Sequence, residues 1–353
     1  MQINSDMDQI DILNNNLLPS VAKDYPIGLV TGKLGMCIYY YYLSRWEENA
    51  EYEQVAESLL DNVISQLSDT IDVTVESGLA GVAIGISHLV KEQFVEGDID
   101  EILEEVDNTV FKKLAFLTYK DIHKHIPKAE LLHLLYYLYI RYTESKKTDN
   151  QYIYQELMIR TIEMFKENLP PDFFNEYFSF SLQNFHLPFF MCIISKIYDL
   201  NIYNSRITKI FEEFSRQILS TYPVSQANRL YLLCGLISIK PCLPNYEKEI
   251  ESHIRLLKAG IDIDHIVNSE LKNQDIYIME GVSSVYMMLY YLQKKYPVYS
   301  IDYNSQLFFT KISNSEVWNT LLSRELYFKE YNKLFDGFPG AYLVMLHIKR
   351  HFL

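Results

Sequence analysis

Apolar residues occur along this chain in two kinds of run, and the two alternate. Segments such as EYEQVAESLLDNVISQL, DIDEILEEVDNTVFKKLAFL and ITKIFEEFSRQIL carry apolar residues three and four apart with acidic residues opposite. That is the pattern of a helix with one face in water. Other segments are apolar on nearly every side, among them CIYYYYLSRW, YMMLYYLQKKY and AYLVMLHIKRHF. Such a helix must be buried over most of its surface. The alternation predicts helical hairpins, each with an outer amphipathic helix and an inner apolar one.

Glycine-bearing turns introduce the inner segments and repeat along the chain. The run from Gly28 to Gly35 (GLVTGKLG) precedes the first, and the run from Gly78 to Gly85 (GLAGVAIG) the second. The same grammar returns at Met279-Glu280-Gly281-Val282 and at Asp336-Gly337-Phe338-Pro339-Gly340. The first two copies are about 50 residues apart and the outermost about 310, which leaves room for seven units. Three weaker copies fall where the missing units belong. They are Tyr119-Lys120-Asp121 ahead of AELLHLLYYLYIRY, Ser181 to Pro188 ahead of FFMCIISKIYDL, and Arg229 to Gly235 ahead of LISI. Seven hairpins closed into a ring bury the inner helices on all sides, and an open solenoid is the competing arrangement. No Ser-, Gly- or Pro-rich linker interrupts the 353 residues, so one domain is expected over 1–353.

Composition sharpens this picture in a few places. With 12 Gly and 11 Pro, turns are few and elements long; 48% hydrophobic and 22% charged residues make a globular chain. The Tyr run at positions 39–42 reads as a core stripe. A net charge of -14 excludes non-specific binding to nucleic acid or anionic membrane and suits a basic peptide partner. Cys37, Cys192, Cys234 and Cys242 are scattered without metal spacing and read as buried small hydrophobes. The polar, acidic start MQINSDMDQIDILNNN lacks the features of a signal peptide. No apolar run reaches the ~20 residues of a membrane span, so the cytoplasm is the expected compartment.

GLVTGKLGMCIYYYYL, GLAGVAIGISHLV and FDGFPGAYLVML resemble the first two and the last glycine motifs of the lanthionine synthetase C-like family, and the order and unit count extend the resemblance over essentially the whole chain. The resemblance implies an all-α fold, an α/α toroid with inner and outer helix rings. It also implies a role in peptide modification, in the biosynthesis of lanthipeptides or other ribosomally made peptides. Cyclases of that family use zinc, held by two Cys and one His, to lower the pKa of a peptide thiol that adds to a dehydrated Ser or Thr.

This chain departs from the family at those ligands. Where the family has Arg-Leu-Ala-Trp-Cys-Tyr-Gly, the chain has Arg229-Leu230-Tyr231-Leu232-Leu233-Cys234-Gly235, with Leu233 at the ligand position and Cys234 one residue along. One residue on a helix is about 100° of rotation, so Cys234 is expected to point elsewhere. The family's Cys-His-Gly is Met279-Glu280-Gly281. No zinc of the family type is therefore expected, and no other cofactor.

By the same resemblance, Asp121 stands where the family has a catalytic Asp, and Arg229 matches the Arg of the fifth motif. Asn184 replaces the His of the fourth motif, with His186 two residues beyond. Asp121 also suits a helix N-cap ahead of Pro127, His123 and His125 read as surface residues, and His186 suits a turn or core position. Glu280, a carboxylate at an inner-helix start, is expected to pair with Arg229 or to hold a basic or amine-bearing ligand. Asn184 and Asp336 join Glu280 as candidate binding residues.

Two functions follow. A zinc-free pseudoenzyme would bind a leader or modified peptide and act as partner of other biosynthetic enzymes. A metal-free enzyme would instead use Asp121, His186 and Arg229 for acid/base work, or carboxylates in the manner of toroidal glycosidases. Burial of Phe185, Leu232, Leu233 and Met279 would favour the first.

Overall fold

The computed structural model describes residues 9–17, 25–68, 70–117, 128–176 and 178–352. It is all-helical, with no strand among the described residues. The first half of the alternation appears as α1 (9–17), α2 (Lys33–Glu47), α3 (Ala50–Ser65), α4 (Leu79–Lys91), α5 (Glu104–Phe116), α6 (Lys128–Glu144) and α7 (Thr148–Glu167). The second half follows as α8 (His186–Asp199), α9 (Asn204–Ser220), α10 (Gln226–Ile239), α11 (Glu247–Ala259), α12 (Val282–Lys295), α13 (Ser305–Ser313) and α14 (Phe338–Phe352). The even-numbered helices, those read as inner from the sequence, are the more buried set. The contrast in burial is large: α4 buries nine of its thirteen residues, whereas α3 buries three of sixteen. None of the helices is long and apolar enough to cross a membrane.

The chain divides into two compact units. The first comprises 1–72, 76–95 and 263–353, and the second 73–75 and 96–262. In the first unit α2 packs against α3, α4 and α14, and α12 packs against α13 and α14. The first and last inner helices are therefore neighbours. Side chains fasten them: Tyr342 Oη donates to Glu47 Oε1 at 2.7 Å, and Arg350 Nη1 donates to the Trp46 carbonyl at 2.7 Å. The tyrosine stripe of α2 lies in this core. Tyr39, Tyr40 and Tyr41 are buried, and Tyr39 Oη donates to Asn14 Oδ1 at 2.9 Å.

The inner helices of this unit begin in a shared way. The amide of the first helical residue donates to the carbonyl seven residues earlier: Lys33 to Pro26, Leu79 to Asp72, Val282 to Asp275 and Phe338 to Tyr331, at 2.8–2.9 Å. A glycine stands immediately before each of these residues: Gly32, Gly78, Gly281 and Gly337. A Cβ on Gly32, Gly281 or Gly337 would collide with that same carbonyl, so the turn closes only around a glycine. No side chain caps α2, α4 or α12, because the turn's own backbone takes that role.

In the second unit α8 packs against α6 and α10. Gly235, within α10, faces Pro188 and Met191 of α8 so closely that a side chain there would strike them. Helix α10 starts at Gln226, with the Ser225 hydroxyl accepting from the Asn228 amide, so the stretch from Arg229 to Gly235 is helix and not the turn expected from the repeat. Arg141 is fully buried and bonds both Asp107 oxygens and Asp100, while Tyr137 and Tyr154 each donate to Asp107 at 2.7 Å. Charges buried this deeply are tolerated only when paired and hydrogen-bonded.

Candidate functional site

The shared turns of the first unit bring carboxylates together. Glu76, Glu280 and Asp336 sit two, one and one residues ahead of Gly78, Gly281 and Gly337. The turns lie against each other through backbone bonds: Val30 and Thr31 donate to the Glu76 carbonyl, and Ile278 and Met279 donate to the Phe335 carbonyl. Asp336, partly buried, feels the charges of both Glu280 and Glu76. Its carboxyl is held above the usual carboxylate range. Burial is the main cause, Lys333 opposes it, and the two glutamates add to it. Glu76 and Glu280 are exposed.

A tyrosine platform flanks the acids. Tyr331 stacks on Tyr277 with centroids 5.0 Å apart and on Tyr327 at 4.5 Å, and Tyr277 Oη donates to Tyr327 Oη at 3.3 Å. Burial raises the Tyr331 phenol, and the charges of Glu280 and Asp336 are among the further causes. Tyr331 thus lies within electrostatic reach of both acids, and Tyr277 behind it is buried. Anionic oxygens beside π-faces favour a cation, whether ammonium or guanidinium.

Two of the expected binding residues, Glu280 and Asp336, are thus brought together. Asn184, the third, lies in the second unit on an exposed turn, where its amide hydrogens bond the Ser181 hydroxyl. Glu76, Tyr277 and Tyr331 were not anticipated. For Glu76 a signal existed, an acid shortly before the glycine in three of the strong copies, but its spacing is two residues where the others have one.

Of the expected catalytic residues, Arg229 and His186 lie among the described residues. Asp121, with His123 and His125, falls outside the described residues. Arg229 is occupied by carbonyls of its own unit. It donates to Pro223 and Gly260 at 2.7 Å and to Val224 at 3.1 Å, and its guanidinium lies over the Tyr222 ring. The physical reason is local: the end of α11 at Gly260 and the loop before α10 present carbonyls that need donors. These carbonyls, and not the Glu280 carboxylate, account for the Arg229 guanidinium.

His186 opens α8 and stacks on Phe173 at 4.4 Å. Burial, helped by His133, lowers its pKa. His133 itself lies 3.3 Å from Glu130 Oε2, and Glu130 Oε1 accepts from the Val75 amide at 2.6 Å. This arrangement of Glu130, His133 and His186 was not legible beforehand, since Glu130 and His133 lie inside an apolar helical run.

The residues at the family's zinc positions do not suit the metal. Leu233 is fully buried, as are Leu232 and Phe185. The Cys234 thiol is buried beside Cys192, and burial pushes its pKa well above the usual range, so it is a thiol at neutral pH and a poor ligand. Met279 and Glu280 complete the set, with Met279 only partly buried. Among the described residues no group of three or more His, Cys, Asp or Glu has a geometry that could hold a metal ion. None of the four cysteines forms a disulfide, and Cys37, Cys234 and Cys242 are buried while Cys192 is half-buried.

A polar groove of about 510 Å³ in the second unit, lined by Glu104, Asp107, Asn108, Lys147 and Asp149 among others, contains none of the expected site residues. Comparison with known proteins adds no assignment: no protein-family model matches the chain, and no curated protein is significantly similar to it.

Proposed function

We propose that this chain is a lanthionine synthetase C-like α/α toroid that has given up the family's thiol-activating metal and binds a peptide. The alternation of more buried and less buried helices along the chain supports the toroid. So does the packing of the last inner helix, α14, on the first, α2. An open solenoid has no reason to join its ends.

The observation that carries the binding role is the convergence of Glu76, Glu280 and Asp336 beside Tyr331 and Tyr277. A lysine or arginine side chain, or a free amine, of a leader or modified peptide is the group that this surface suits. The chain's net charge of -14 draws such a peptide in from a distance. The role is then that of a pseudoenzyme partner in ribosomal peptide biosynthesis.

A fluorescently labelled lysine-rich peptide, titrated at low and moderate salt, tests this reading. Glu280→Gln and Asp336→Asn should each weaken binding several-fold. Glu57→Gln, on the exposed outer helix α3, removes the same charge elsewhere and should leave it unchanged. Equal weakening by all three variants would reduce the effect to net charge and sink the proposed site.

One observation favours a second reading. Asp336, held in its protonated form to higher pH chiefly by burial, lies within electrostatic reach of a second carboxylate, Glu280, as the two carboxyls of an acid/base pair do. That reading makes the chain a metal-free enzyme. Hydrolysis of nitrophenyl glycosides, abolished by Asp336→Asn, would support it over peptide binding.

A further inference from the structure

The last helix carries two imidazoles that the peptide-binding site does not use. His347 and His351 stand one helical turn apart on α14, and their ring centroids are 4.4 Å apart. Residues at i and i+4 share a helix face, so the pair projects from one side of the helix. His347 is set among rings: Tyr290 meets it edge-on at 4.8 Å, Tyr286 at 6.0 Å and Trp46 at 6.3 Å. Its Nε2 is shielded from solvent and makes no hydrogen bond. A buried nitrogen without a partner costs stability unless something supplies one. His351 is exposed.

We propose that His347 and His351 form a binding site for a late first-row divalent ion, with Cu²⁺ held most tightly and Ni²⁺ and Zn²⁺ less so. Imidazole pairs suit these metals, and the order follows their general affinity for nitrogen donors. With metal–nitrogen bonds of about 2.0–2.1 Å, two imidazoles on one tetrahedral ion have centroids roughly 5 Å apart. The observed 4.4 Å is close to that separation. The ion would lie at the C-terminal end of α14, where the helix dipole favours positive charge. Lys294, Lys349 and Arg350 nearby oppose it. Among the described residues no third His, Cys, Asp or Glu donor completes the set, so water fills the remaining positions and the affinity is modest. An occupied site would clamp the last turn of α14 and raise the melting temperature.

The proposal is independent of the peptide-binding reading and is tested separately. Tag-free protein would be titrated with Cu²⁺ by calorimetry, and the bound ion examined by electron paramagnetic resonance. One equivalent should bind with the signature of two nitrogen donors. His351→Ala, a change at an exposed position, should weaken binding at least tenfold without unfolding the protein. Glu280→Gln and Asp336→Asn should leave it unchanged. Unaltered binding in His351→Ala, or no saturable binding to the wild-type protein, would overturn the site. Loss of binding in the carboxylate variants instead would move the metal to the acidic turns and equally overturn it.

Discussion

Tyr342 Oη donates to Glu47 Oε1 at 2.7 Å and so ties the last inner helix to the end of the first across 295 residues of sequence. A charge-assisted bond of this kind, partly buried, is worth about 1.5–3 kcal/mol. Tyr342→Phe should lower the unfolding free energy by an amount near the bottom of that range, read from the urea midpoint. Glu47→Gln should lose most of the same increment, and a double-mutant cycle should show the two changes coupled.

The buried cluster around Arg141 should be far more sensitive. Arg141→Ala strands Asp107 and Asp100 without their guanidinium, and removal of one partner from a buried pair costs about 3–5 kcal/mol. The measurement is equilibrium denaturation followed by circular dichroism. A cost below about 1 kcal/mol, the scale of an exposed pair, would show that the network contributes little.

Asp336 predicts a pH effect with a definite sign. Its folded-state pKa lies above the unfolded value, so the native state binds the proton more tightly. Stability therefore falls as pH rises from the unfolded carboxylate pKa through the raised one, and the penalty is fully present above that window. Asp336→Asn should raise the melting temperature at neutral pH, with the gain shrinking as pH is lowered through the carboxylate range. A gain of the same size at every pH would contradict the assignment.

Gly281 and its neighbour Glu280 should respond in opposite ways. Gly281→Ala forces a methyl group against the Asp275 carbonyl and should cost about 1–3 kcal/mol, as overpacking does. Glu280→Ala, at an exposed position, should stay within about 0.5 kcal/mol. It should also show no coupling to Arg229→Ala, because Arg229 is engaged by carbonyls.

The four strong glycine copies were legible because a backbone constraint lies behind them. Lys33, Leu79, Val282 and Phe338 each close the same turn, and the glycine ahead of each leaves a visible mark. All four belong to the first unit, and the three weak copies belong to the second. Of these three, α10 starts from a Ser225 cap, and its Gly235 serves helix approach, not a turn. Spacing alone places that glycine with the others, although its physical purpose differs. Glu280 was legible as a charge in an apolar stretch. The approach of Asp336 to it and to Glu76, the tyrosine platform and the approach of His186 to His133 depend on which turns and helices meet, and a single sequence does not carry that information.

The turn that starts each inner helix of the first unit is closed by a main-chain hydrogen bond, to which the Ser283 and Ser284 hydroxyls add bonds at the start of α12. The closing bond does not use the side chain of the residue just before the glycine, so that side chain can change while the bond is kept. At position 280 a carboxylate stands where the family resemblance would put an imidazole, and at 336 another carboxylate occupies the equivalent slot. A scaffold of this kind can lose one chemistry and acquire another by point substitution, without refolding.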